Sequence, residues 1–419
     1  MAEQFYDKTV TADGVEVITE TIDAVRSVTI GLWFAVGSRD ETPDEAGMSH
    51  FMEHMMFKGT PTRTAAEISE HFDRLGGELN AFTSREHTCF YARVLDEHVD
   101  DAMEVLSDMV VNATNAEDAI TPEREVVLEE IARHEDQPDD QVHDLFSRTL
   151  LGDHPLALPV LGNRASVSSF DRPLTCSFKE RHYVAGNCIV AAAGRVSHER
   201  VLDLTNRFLT LPVGDRTVHA ERPALTTSQV SVLTKDTEQA HICWGVQGLI
   251  TRDEQRFALG ILNGVLGGGM ASRLFQEVRE KRGLAYSVFS YPLPGHDVGQ
   301  FAVYAGTRPS NAPEVIRVIR DVVHSLRANG VTADELARAK DSTKGHLVLA
   351  LESTRSRMNR MGGAEACDLE LLSIDEAIAR TDAVTLEDVK ALAERLFSQP
   401  EVLTMIAPFV TEDVSHLLD

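Results

Sequence analysis

No stretch of about 18 apolar residues occurs in this 419-residue chain, so a membrane-spanning helix is excluded on sequence grounds. No targeting segment is expected at the N-terminus either. Met1 to Val10 carries Glu3, Asp7 and only Lys8, with neither the apolar core of a secretory signal nor the arginines of a presequence. A cytoplasmic protein is therefore expected, with no membrane partner. Cysteine is sparse: Cys89, Cys176, Cys188, Cys243 and Cys367 are odd in number, scattered and without a Cys-x-x-Cys pair, which points to reduced thiols and excludes a disulfide framework. Cations are in short supply, with 40 Lys and Arg against 66 Asp and Glu, a net charge of −26 and a pI near 5.0. Nucleic-acid binding needs clustered Lys and Arg, so that partner class is set aside. The acidic excess reads as a solvated surface, part of which can line a chamber that draws in cationic peptides.

What the chain does contain is His50-Phe51-Met52-Glu53-His54. On a helix, positions i and i+4 share a face about one turn apart, so both imidazoles can point at one metal while Glu53 stays beside it. His-x-x-Glu-His is the signature of the inverted zinc peptidases. A catalytic zinc takes three protein ligands and leaves the fourth position for water, so one more ligand must come from another element. Thr121 to Ile131 reads as a helix with a proline near its start, acids in the first turn and an apolar stripe at Val127, Leu128 and Ile131. Glu123, Val127 and Glu130 fall on one side of it, which aims a carboxylate inward. A solvated helix glutamate fits the same pattern.

Two halves of the chain echo one another. Ser27 to Arg39 and Gln239 to Arg252 are both strand-like and end in a turn and an arginine, and His98 to Val110 and Asn311 to Val323 are both amphipathic helices. The ends of both pairs are separated by the same offset (252 − 39 = 213 and 323 − 110 = 213), as duplication of one unit produces. Strands such as Glu78 to Val94 alternate with helices, so the expected class is α+β: two duplicated α/β-sandwich domains, each a mainly antiparallel sheet packed with helices. The turn-rich, charged stretch from Leu211 to Pro223 is the linker candidate, which divides the chain into domains 1–215 and 228–419. At that offset the metal motif maps onto Asn263 to Gly267, where no ligand stands, so only the first half can hold zinc. Gly267-Gly268-Gly269 lacks the remaining residues of either common nucleotide-binding loop, and a helix start, peptide contact or hinge is the reading it supports.

The chain resembles the zinc peptidases that include pitrilysin, insulin-degrading enzyme and the mitochondrial processing peptidase, most closely the processing-peptidase branch and its bacterial relatives. That family takes its third ligand 76 positions after the second histidine, which is Glu130 here (130 − 54 = 76), and places a catalytically important glutamate seven residues earlier, at Glu123. Further landmarks follow in order: Phe57-Lys58-Gly59-Thr60, then Gly76 to Thr83, then Gly267 to Phe275, then Arg279 to Tyr286.

The resemblance implies one Zn2+ per chain, a zinc metalloendopeptidase acting on short or unfolded peptides, and Glu53 as general base and then general acid. It implies an edge strand near Asn80 and Ala81 that pairs with the peptide backbone, and Arg279 and Tyr286 from the second domain reaching the scissile region. Asp140 and Asp144, 10 and 14 positions beyond Glu130, stand where processing peptidases keep two acids that grip an arginine, so a basic residue near the cleavage site is expected. Asp140 is shorter than the glutamate usual there. The length, about half that of the single-chain members, implies a homodimer or a heterodimer with a related subunit. A non-catalytic scaffold or partner subunit of the same fold is the alternative, and its usual mark is a broken zinc motif.

Overall fold

The strand-like segments pair into two sheets in the computed structural model, which describes residues 5–219 and 227–418. The first sheet contains β1 (Asp7–Val10), β2 (Glu16–Thr21), β3 (Ser27–Phe34), β4 (Glu78–Thr83), β5 (Thr88–Leu95) and β6 (Cys188–Gly194), in the order β1-β2-β6-β3-β5-β4. The second contains β7 (Gln229–Thr234), β8 (Ala240–Gly248), β9 (Ala285–Leu293), β10 (Gly299–Thr307) and β11 (Val402–Ala407), in the order β7-β11-β8-β10-β9. Each sheet has one parallel pair, β2 with β6 and β7 with β11; every other pairing is antiparallel. The fold is thus the mixed α/β architecture expected, two largely antiparallel sheets packed against helices.

The duplication extends through the helices. In the first repeat run α1 (Met48–Met56), α2 (Ala65–Leu75), α3 (Val99–Asn112), α4 (Glu117–Glu135), α5 (Pro138–Leu151), α6 (Arg164–Ser169), α7 (Arg172–His182) and α8 (His198–Phe208). The second supplies α9 (Arg256–Leu266), α10 (Ala312–Asn329), α11 (Ala333–Ala350), α12 (Thr354–Ala366), α13 (Ile374–Ala383) and α14 (Leu386–Phe397). Shifted by 213, β2 and β6 fall on β7 and β11 with the same register: Glu16 opposite Ile189 becomes Gln229 opposite Val402. On the same shift α3 falls on α10, α4 on α11 and α5 on α12.

Two compact units form, and they do not follow the simple order of the chain. The first comprises Met1–Ala132, Leu158–Ala220 and Ala350–Ser373; the second comprises Arg133–Ala157, Glu221–Leu349 and Ile374–Asp419. In the first unit one sheet face packs on α1, α3 and α8 through residues such as Phe34, Phe51, Phe90 and Leu106, while α12 covers the other face. Met358 and Met361 of α12 pack there with Trp33, Tyr91 and Ile189, and the Trp33 indole N–H points at the Met358 sulfur at 3.2 Å. In the second unit α5 plays the equivalent part, setting Val142, Phe146 and Leu150 against Cys243, Ala302 and Ile406. Division at 215 and 228 therefore differs from the compact units, because equivalent helices of the two repeats are exchanged. An amphipathic helix needs only an apolar sheet face of the right shape, and duplication supplies two.

Of the expected linker, Leu211 to 219 carries no regular secondary structure, and 220–223 lie outside the described residues. So does Glu3 of the N-terminal stretch. Among the described residues no helix is long and apolar enough to cross a membrane.

Candidate active site

α1 is short and strongly one-sided. Met48, Phe51, Met52, Met55 and Met56 are buried, which leaves His50, Glu53 and His54 together on the remaining face. Helical spacing alone makes that sorting. The start of α1 is held by Glu41, whose carboxylate accepts the backbone N–H groups of Gly47 and Ser49, both at 2.7 Å. Gly47 has φ +93°, and a Cβ there would stand 2.7 Å from the Leu161 carbonyl oxygen, so this turn into the helix requires glycine.

The second contributor is α4. It begins at Glu117, four residues before the expected start, and Pro122 lies inside it. Its buried stripe is Ile120, Glu123, Val127 and Ile131. Glu130, one turn beyond Val127, has a side chain 41% exposed and meets α1. Its Oε2 lies 3.7 Å from His50 Nε2 and 3.6 Å from His54 Nε2, and the two Nε2 atoms are 3.2 Å apart. Tetrahedral zinc with ligands at about 2.1 Å places its donor atoms about 3.4 Å from each other, so the three donors fit one ion. Among the described residues this trio is the one group of three or more His, Cys, Asp or Glu side chains close enough to hold a metal. Glu130 Oε2 and His50 Nδ1 are buried without a hydrogen-bond partner, and a buried acceptor facing two imidazole nitrogens is what a cation satisfies. The residues present fit zinc.

Around the trio, His54, Glu123 and Glu53 are each held by a neighbouring side chain. His54 Nδ1 lies 2.7 Å from Glu123 Oε1, and Lys58 Nζ lies 2.5 Å from Glu123 Oε2. The Thr83 hydroxyl donates to Glu53 Oε2 at 2.6 Å, tying the end of β4 to that carboxylate. Burial pushes the His50 imidazole down to about 4, with the neighbouring His54 acting the same way, so His50 is neutral and ready to coordinate. Burial also pulls His54 down, but its hydrogen bond to Glu123 and the charges of Glu130, Glu123 and Glu53 outweigh this and raise it. Burial raises Glu53 against the opposing Thr83 hydrogen bond. Glu123, although disfavoured by burial, is lowered by His54 and Lys58.

Asn80 and Ala81 lie on β4, which pairs with β5 alone and forms one margin of the first sheet; Asn80 is exposed. Arg279 and Tyr286 belong to the second unit, where the guanidinium lies 4.3 Å over the Tyr286 ring and donates to the Tyr286 carbonyl at 3.1 Å. Tyr286 is 78% exposed. The acids of α5 separate. Asp140 lines a cavity of about 720 Å³ in the second unit with Asp136, Asp139, Asp236, Glu238 and the rings of Phe289 and Tyr304, whereas Asp144 lies 3.4 Å from His134. The glycine run terminates α9, and Gly267 passes so close to β9 that a Cβ would sit 2.3 Å from the Ser290 nitrogen. Lys58 and Thr83 were visible in the sequence only as parts of longer motifs, and Glu41 had no local signal. Their partners are 65, 30 and 6 to 8 positions away.

Relatives of this chain carry the name uncharacterized zinc protease. Residues 16–164 match the family model described as Insulinase (Peptidase family M16), and residues 170–343 match the one described as Peptidase M16 inactive domain. An uncharacterized zinc protease of Streptomyces coelicolor is 43% identical across 98% of this chain and 92% of its own. The uncharacterized zinc protease YmxG of Bacillus subtilis is 42% identical across 94% of this chain and 97% of its own. Among solved structures, a protease from Helicobacter pylori superposes with a TM-score of 0.90 over 96% of this chain and 99% of its own, at 23% identity. A Pseudomonas fluorescens structure titled as a peptidase M16 inactive domain gives 0.91, also at 23% identity, over 97% of this chain and 98% of its own. With relatives this similar from end to end, and with two family models matched in order along it, the chain belongs to peptidase family M16.

Proposed function

We propose that this protein is a zinc-dependent endopeptidase in which His50, His54 and Glu130 hold one ion per chain and Glu53 moves the proton. The observation that carries the reading is the convergence of two Nε2 atoms and one carboxylate oxygen within 3.2 to 3.7 Å of one another, with Glu53 on the same helical face. Bound there, zinc supplies a Lewis-acidic centre that polarises a carbonyl and lowers the pKa of water toward about 7. Glu53 accepts the proton of the attacking water and delivers it to the leaving amine nitrogen, so the peptide bond is replaced by a carboxylic acid and an amine. The Thr83 hydroxyl keeps that carboxylate from swinging away. Glu123 orients the His54 ring so that Nε2 faces the metal. An extended peptide added along β4 beside Asn80 and Ala81 gains main-chain hydrogen bonds largely independent of sequence.

The finer reading is a cytoplasmic enzyme that acts on short or unfolded peptides and favours a basic residue near the scissile bond. Asp140, in a cavity with four further carboxylates and two aromatic rings, supports the basic preference. Arg279 and Tyr286 contribute from the second repeat to substrate binding, and a dimer, of this chain or with a related subunit, encloses the peptide.

Zinc content and peptide cleavage, measured on wild type and Glu53→Gln, test the central reading. Wild type contains about one zinc and cleaves; Glu53→Gln keeps the zinc and the fold and loses hydrolysis by about 1,000-fold, consistent with general acid–base contributions of about 100- to 10,000-fold. A wild type with neither zinc nor hydrolysis points to the scaffold reading, and near-normal turnover in Glu53→Gln removes the general-base assignment.

A further inference from the structure

Lys58 stands just past α1, where its backbone N–H closes the last turn onto the Met55 carbonyl at 3.1 Å. That fixed position aims its side chain at α4. Glu123 is 4% exposed and lies in the apolar stripe of that helix, flanked by Ile120 and Val127. A carboxylate in such a place loses most of its hydration, and it stays ionised only if each oxygen finds a partner. Both do, on opposite sides: Oε1 meets His54 Nδ1 at 2.7 Å and Oε2 meets Lys58 Nζ at 2.5 Å. The carboxylate plane is therefore set by two points. With only the imidazole contact it can rotate about its terminal torsion, and His54 loses a fixed acceptor.

We infer that Lys58 is a positioning residue for the metal centre, acting through Glu123 to hold the His54 ring with Nε2 toward the ion. This rests on the zinc-site reading above, and it extends the site from three ligands to a relay, Lys58 to Glu123 to His54, that joins the C-terminal end of α1 back to its own second histidine. Lysine suits the task because its ammonium is compact and its four-carbon stem can lie along apolar surface while the head reaches the carboxylate.

Zinc affinity, read by competition with a chromophoric chelator at one pH, tests this without using catalysis, and a melt of the metal-free protein reports the fold separately. Lys58→Met is expected to weaken zinc binding about tenfold, at the lower end of the 10- to 100-fold loss typical when a ligand's hydrogen-bond partner is removed. Placed in a Glu123→Gln background, the same change is expected to cost no more than about twofold, because the path through Glu123 is already broken. Unchanged affinity in Lys58→Met, or the same loss in both backgrounds, overturns the inference. Should Lys58→Met be unfolded at the assay temperature, Lys58→Gln, polar and nearly as long, is judged by the same two comparisons. A wild type that takes up no zinc refutes the functional reading instead, so the two failures are distinguishable.

Discussion

Glu123 and Glu130 show how far seven residues of helix separate two roles. Both were candidates from spacing on one face, yet one carboxylate is 4% exposed and bonded to His54 and Lys58, while the other meets both Nε2 atoms. On the proposed zinc reading, removing the charge of Glu130 takes away a donor to the metal, and removing that of Glu123 disturbs only the orientation of one. Glu130→Gln is therefore expected to lower zinc affinity by more than about 100-fold, and Glu123→Gln by about 10- to 100-fold with a larger effect on rate than on occupancy at saturating zinc. Metal titrations giving the opposite order would mean that the two carboxylates have exchanged roles. At this scale much was legible: His50, Glu53 and His54 follow from helical geometry, since the five-residue motif is local. Lys58 and Thr83 were not, because a contact from β4 to α1, or from the residue just past the end of α1 to α4, leaves no periodic trace in the chain.

The element that matters most is α1, nine residues long and dependent on outside contacts for its start. Glu41 supplies two of them, and burial pushes its carboxyl up to about 8 while the Ser49 and Gly47 N–H bonds oppose that rise. A carboxyl whose folded pKa exceeds its unfolded value of 4.5 favours the folded state most when protonated; that stability is fully present below about 4.5 and is lost as pH rises through about 8. Glu41→Gln, neutral throughout, is expected to gain stability relative to wild type between pH 5 and pH 8, even if it is less stable at pH 5 because an amide accepts only one of the two N–H bonds well. Urea unfolding of both proteins at the two pH values checks this, and parallel profiles would falsify the role given to Glu41. Elements were read more surely than their ends. α4 starts earlier than Pro122 suggested, and the glycines at 267–269 both end α9 and precede the helical stretch at 273–280, where the close approach of Gly267 to Ser290 also demands a missing side chain.

Across the molecule, the exchange of α5 and α12 ties each compact unit to residues from both repeats. Gly362 of α12 packs so closely that a Cβ would lie 2.3 Å from the Trp33 indole, and Met358 and Met361 fill the same face. A fragment of residues 1–219 carries α5 without the sheet that α5 covers, and leaves Trp33, Tyr91 and Ile189 open to water. Burying side chains of this size is worth about 1.5 to 3 kcal/mol each, a large share of a stability of about 5 to 15 kcal/mol. Expressed alone, that fragment is expected to show weak tertiary structure and aggregation, and co-expression with 227–419 to restore a folded, zinc-binding species. A cooperative melt of the isolated 1–219 fragment would show that α12 is dispensable to the first sheet.

The sequence by itself determined what repeats locally: the His-x-x-Glu-His face, the alternation that makes strands, the offset of 213 that makes two like sheets, and the acidic balance. These are properties of neighbours a few positions apart, or of one pattern compared with its copy. Tertiary structure decided which glutamate of α4 meets both imidazoles, that Lys58 meets Glu123 and Thr83 meets Glu53, that Asp140 shares its cavity with Asp136 and Asp139 while Asp144 turns to His134, and which repeat's helix covers which sheet. Two duplicated halves carry interchangeable apolar faces, so periodicity marks α5 and α12 as helices to be buried. Only side-chain packing, such as Trp33 against Met358 and Gly362, selects the sheet that each one covers.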